Sequence, residues 1–170
     1  MTILRFAGGL VIAVAIHATL NKVAPGSLVY FNPYVILVTY QAMRSGSLAQ
    51  VIALGALAGL VQDAFSISLA GANAFALTLC GYAVAFINAK LVLRGNASFG
   101  ACLAGSTFGA ELIVWTLTSI LVETPIPFAI DIWLARTLVT ALFGLLLLQS
   151  LRLVLGADVV APGQQRRRDW

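Results

Sequence analysis

Six long apolar runs, separated by short polar connections, dominate this chain and leave few folds open to it. They cover about residues 6–20, 28–43, 48–61, 69–89, 99–122 and 130–155. A helix that crosses the hydrocarbon core of a bilayer needs roughly 20 apolar residues, with a range of about 17–25. The last three runs meet that length, and the first three are shorter. A soluble domain cannot carry such runs. Only 9% of the residues are charged, against about a quarter in ordinary soluble chains. The expected architecture is all-α: a polytopic six-helix transmembrane bundle over residues 1–156, followed by a disordered basic tail over 157–170.

The cations orient that bundle. Arg5, Arg44, Lys90, Arg94, Arg152 and the cluster Arg166, Arg167 and Arg168 fall on one side of a six-span arrangement, eight of the ten Lys and Arg residues. Lys22 falls on the other side, and Arg136 lies inside the last run. Cytoplasmic connections are enriched in Lys and Arg, so both termini are expected to be cytoplasmic. Asp63, Glu123 and Asp131 then lie at or near the outer ends. The first run reads as a retained span, because no clear small-x-small cleavage site stands between its apolar core and Lys22. Asn32-Pro33 places a proline in the first turn of the second helix. On that reading residues 28–32 follow the outer interface, with Tyr30 and Tyr34 as aromatic anchors.

Several function classes drop out. The sequence pI near 9.5 reflects topology, since no basic groove interleaved with aromatics points to nucleic acid. Cys80 and Cys102 sit in apolar runs without a paired motif and read as small hydrophobes, not as a disulfide or metal site. One histidine, His17, no metal-binding helix motif, no phosphate loop and no nucleophile elbow argue against an enzyme and against a cofactor.

What remains is a polar seam. Gly55, Gly59 and Asp63 recur every four residues and share one helix face, and Gly71, Asn73 and Gly81 follow closely. Small residues let helices approach in lipid, and a carboxylate near membrane depth is costly without a partner or a task. These six residues form a candidate packing or partner face. Asp63 is either an acid bonded to free amides around 66–73 or the anchor of the turn into the next span. Two weaker series, Gly105 with Gly109 and Gly81 with Ala85 and Ala89, repeat the spacing. Glu111, near the centre of the fifth run, and Arg136, about six residues into the sixth, form a candidate intramembrane ion pair. Such a pair serves as a relay point or fixes the register of two helices. Trp115 and Trp133 lie one turn from the two charges.

The order Asn32-Pro33, Val35 to Tyr40, Arg44-Ser-Gly46, Gly55-x-x-x-Gly59-Leu-x-x-Asp63, Gly71-x-Asn73 and Gly81-Tyr82 resembles the rod shape-determining membrane protein family, MreD. The resemblance implies a noncatalytic inner-membrane component of the bacterial cell-elongation complex. It implies direct association with MreC, and through MreC with MreB and the RodA–PBP2 glycan synthase, in support of peptidoglycan synthesis and cell shape. The glycine face of Gly55 and Gly59 is then the expected seat for a transmembrane helix of MreC. The family is also similar in fold to the S components of ECF vitamin transporters, which supplies the alternative: a solute-binding subunit with a pocket open to the outside. Short outer connections with few polar residues disfavour that alternative.

Overall fold

The structure is a computed structural model that describes residues 2–23, 26, 29–44, 47–66, 69–91, 95–122 and 129–155. The tail at 157–170, the turn with Glu123, Pro125 and Pro127, and the cations Arg94, Arg166, Arg167 and Arg168 lie outside those residues. The described chain is all-helical: α1 (Thr2–Val23), α2 (Pro33–Arg44), α3 (Leu48–Phe65), α4 (Ala72–Leu91), α5 (Asn96–Leu121) and α6 (Ile130–Leu155). Five of these helices are long and apolar enough to cross a membrane.

The exception is α2, whose run was already among the short ones in the sequence. With 12 residues, α2 rises about 18 Å at 1.5 Å per residue, against a hydrocarbon core of about 30 Å. It is instead the buried axis of the bundle. Pro33, Tyr34, Val35, Ile36, Val38, Thr39, Gln41, Ala42 and Met43 are all buried, and α2 packs on each of the other five helices. Its run is apolar because it is core, and not because it faces lipid.

The entry to α2 explains how a helix can start at depth. Asn32, only 3% exposed, caps it: its Oδ1 accepts from the backbone N–H of Tyr34 at 3.1 Å and of Val35 at 3.4 Å. Pro33 occupies the first helical position, where a missing N–H leaves nothing unsatisfied. The Asn32 N–H donates to Thr140 Oγ1 at 3.3 Å. Thr140 lies ten residues into α6, about 15 Å along its axis, so α2 begins well inside the bundle. Irregular backbone is tolerated at membrane depth where protein buries it, and Phe31 and Asn32 are both buried. Tyr34 is therefore not an interface anchor. It is 1% exposed and lies 5.7 Å from the His17 ring, while Tyr30 remains exposed.

The remaining helices enclose this axis. α3 and α4 form the most extensive pairing, followed by α5 with α6 and α4 with α5. One end of the bundle gathers basic side chains. Asn88 Nδ2 donates to the Met43 carbonyl at 2.9 Å, which brings the ends of α4 and α2 together, and with them Lys90 and Arg44. Arg5 and Arg44 line a common cleft there.

Candidate functional site

The α3–α4 seam is built from small residues at helical spacing. On α3 the buried positions are Val51, Leu54, Gly55, Ala58, Gly59 and Gln62, a stripe advancing by three and four residues. The helix seated against Gly55 and Gly59 is α4 of the same chain. A Cβ added at Gly59 would stand 2.5 Å from Ala74 N and 2.6 Å from the Asn73 carbonyl oxygen. One added at Gly55 would stand 3.0 Å from the Leu77 carbonyl oxygen and 3.1 Å from Thr78 Cα. These neighbours are backbone and cannot swing away. Gly81 serves a similar close approach, 2.9 Å from Val38 Cγ1 and 3.2 Å from Val51 Cγ1 by the same measure, where α4 meets both α2 and α3. The face is thus filled from within, and a helix of MreC has no room at Gly55 and Gly59.

Asp63 closes the seam at the end where α3 hands over to α4. Its Oδ2 accepts from Gly71 N–H at 3.0 Å and Ala74 N–H at 3.1 Å. Its Oδ1 accepts from Asn73 N–H at 3.2 Å and Asn73 Nδ2 at 2.8 Å. The first backbone N–H groups of a helix have no partner within it, and a carboxylate placed there also meets the positive end of the helix dipole. Asp63 performs this task across a turn, for a helix other than its own. Gly71 holds φ at +91°, a left-handed conformation that glycine adopts without penalty, and so presents its N–H to the carboxylate. Gln62 Nε2 donates to Asn73 Oδ1 at 3.1 Å. Gln62 was not singled out in the sequence, although its place one residue before Asp63 on the small-residue stripe was the available signal.

The second cluster joins α5 to α6. Arg136 Nη1 donates to Glu111 Oε1 at 2.5 Å, with side chains 21% and 17% exposed. Trp115 and Trp133 meet each other edge to face with centroids 6.0 Å apart, and Phe108 lies 6.2 Å from Trp133. The charged pair and the aromatic contact between Trp115 and Trp133 each join α5 to α6. Cys80 and Cys102 are free thiols.

The second GxxxG pair behaves otherwise. A Cβ at Gly105 meets no neighbouring atom within 4 Å, and one at Gly109 meets only Cys80 Sγ at 3.6 Å. Both glycines line a lateral groove of about 760 Å3 between α4 and α5. Ser106 lines it too; it is 5% exposed, and its Oγ has no hydrogen-bond partner among the described residues.

As to chemistry, the acids inside the bundle are committed. Both oxygens of Asp63 accept hydrogen bonds from α4 and its turn, and Glu111 is held by Arg136. The arrangement binds helices to one another.

The family model described as rod shape-determining protein MreD matches residues 1–124. No curated protein and no solved structure matches the chain. The matched segment takes in α1 to α5 with the whole Gly55–Asp63–Asn73 seam, and the chain belongs to the MreD family.

Proposed function

We propose, with membership of the rod shape-determining MreD family as the premise, that this protein is a noncatalytic membrane scaffold of the bacterial cell-elongation complex. It binds MreC directly and through it supports MreB and the RodA–PBP2 synthase in peptidoglycan synthesis. The observation that carries the scaffold reading is the commitment of Asp63 and Glu111 to contacts that join helices. Both termini lie on the cytoplasmic side: α2, though short, ends at the basic end that holds Arg5, Arg44 and Lys90, so the chain has returned to that side before α3 begins.

Of the two GxxxG pairs, Gly105 and Gly109 are the ones open to another helix. A transmembrane helix of MreC is assigned to the α4–α5 groove. Small residues there permit close approach, and the buried Ser106 hydroxyl has an unused bond to offer an incoming helix.

Depletion and complementation in a rod-shaped host tests the reading. Cells depleted of the protein should become round, and re-expression of the full chain should restore rods. Rods that persist on depletion, with vitamin uptake falling instead, would transfer the protein to the S-component class.

A further inference from the structure

A second cavity, of about 620 Å3, opens between α1 and α6 with α2 as its floor. That volume lies within the range of about 300–1,000 Å3 typical of ligand sites. It exists because α1 makes its extensive packing on α2 alone, while α6 packs chiefly on α5. Gly8, Ile12 and Ile16 line it from α1, Phe143 and Leu147 from α6, and Leu37 from α2.

The two ends differ in chemistry. The basic end is lined by Arg5, Tyr40, Gln41 and Arg44, and among the described residues no Asp or Glu lines the cleft. Arg44 Nη1 donates to Tyr40 Oη at 2.6 Å, which holds the guanidinium over the Tyr40 ring at 5.5 Å. Gln41 is 6% exposed, and its Nε2 has no acceptor among the described residues. A buried donor without an acceptor is costly. From Arg5 to Ile16 the α1 wall extends about 16 Å and is otherwise apolar. One end therefore offers two cations and an unused buried donor, and the remainder offers hydrocarbon.

We propose that this cleft holds one acyl chain of an anionic phospholipid, drawn from the leaflet at the Arg5–Arg44 end. The headgroup phosphate accepts from the Arg5 and Arg44 guanidiniums and from Gln41 Nε2. Charge complementarity selects this occupant. Two arginines and a buried amide donor gathered at one end match a phosphate, the apolar length beyond them matches an acyl chain, and a free phosphate leaves that apolar length empty. Gly8 and Gly9 divide the roles of the α1 wall. A Cβ at Gly9 would meet Leu37 Cδ1 at 2.6 Å, whereas one at Gly8 meets nothing within 4 Å. Gly9 seats α1 on α2, and Gly8 keeps the cleft open.

The experiment is native mass spectrometry of the purified full chain, titrated with phosphatidylglycerol or phosphatidylethanolamine of identical acyl composition. The expected result is one retained phosphatidylglycerol, favoured over phosphatidylethanolamine by about thirtyfold, as two cations near a lipid headgroup imply. Gly8→Phe should lose both adducts at an unchanged unfolding midpoint. The combined change Arg5→Gln, Gln41→Leu and Arg44→Gln should keep an adduct and abolish the preference. Equal retention of the two lipids by the native chain, or an adduct that survives Gly8→Phe, would overturn the proposal. Displacement of the lipid by millimolar inorganic phosphate would overturn it too, since the acyl chain would then contribute nothing.

Discussion

Two stretches of this chain carry the same GxxxG signature and differ in almost everything that follows from it. Gly55 and Gly59 press α3 onto the backbone of α4, while Gly105 and Gly109 face a groove with empty space beside them. The spacing is identical, so the difference lies in the neighbours. Four residues beyond Gly59 comes Asp63, which ties down the first N–H groups of α4 and holds that helix in place. Nothing comparable follows Gly109: two residues on comes Glu111, and it reaches to α6. A small-residue face in a membrane protein thus states that a helix can approach closely, and a lock at its end decides whether that helix is the chain's own.

The largest expected effect is at the closed seam. Gly59→Leu drives a side chain into the Ala74 and Asn73 backbone. Overpacking costs about 1–3 kcal/mol where neighbours can adjust, and here they cannot. We expect destabilisation above about 3 kcal/mol, read as a lower unfolding midpoint in detergent and loss of a single species on gel filtration. A native midpoint in Gly59→Leu would break the comparison.

Asp63→Ala tests the lock itself. It removes acceptors for three backbone N–H groups and the Asn73 amide. The expected loss is about 2 kcal/mol, the scale of charged hydrogen bonds at a helix N-terminus. Asp63→Asn, which keeps an acceptor oxygen, should recover part of it. Equal loss in the two variants would show that the carboxylate acts through something other than these bonds.

The Glu111–Arg136 pair comes next. Either Glu111→Gln or Arg136→Gln removes the charge attraction that joins α5 to α6. The single changes should cost about 1–2 kcal/mol, reduced from the buried-pair range because both side chains keep some exposure. The double variant should be more stable than either single one, and a double-mutant cycle measures this directly. A strictly additive double variant would mean that the two groups do not interact.

The smallest stability effect belongs to the open groove. Gly105→Leu places a side chain where a Cβ meets nothing within 4 Å, and its cost should stay within about 0.5 kcal/mol beyond helix propensity. Set beside Gly59→Leu, it isolates the context of a GxxxG pair from its spacing.

Much of the α3–α4 region was legible before any coordinates, because its signals are local. Asp63, Gly71 and Asn73 lie within 11 residues, and an acid, a turn glycine and an amide at a helix start have few other arrangements. The contact of Glu111 with Arg136 was legible too, since consecutive helices joined by a short connection are neighbours and two opposite charges at similar depth seek each other. The burial of α2 was not legible, for a physical reason. In lipid, hydropathy does not separate a side chain that faces acyl chains from one that faces protein, so residues 28–43 read as one more span. Asn32-Pro33 already marked a helix start, yet its depth is set by Thr140, which is 108 residues away. Tyr34 was misplaced for the same reason, because aromatic residues mark interfaces only at the membrane surface. The cleft along α1 left no sequence trace, since Gly8 and Gly9 are adjacent and only packing distinguishes them.

The decisive measurement is affinity capture of the tagged full chain from native membranes in mild detergent, with mass spectrometry of what accompanies it, for the native sequence and for Gly105→Leu. The expected result is MreC with elongation-complex proteins on the native chain, and MreC reduced at least about tenfold on Gly105→Leu while the protein itself stays folded. Capture of an ATP-binding-cassette module with its coupling subunit, and no MreC on the native chain, would contradict it.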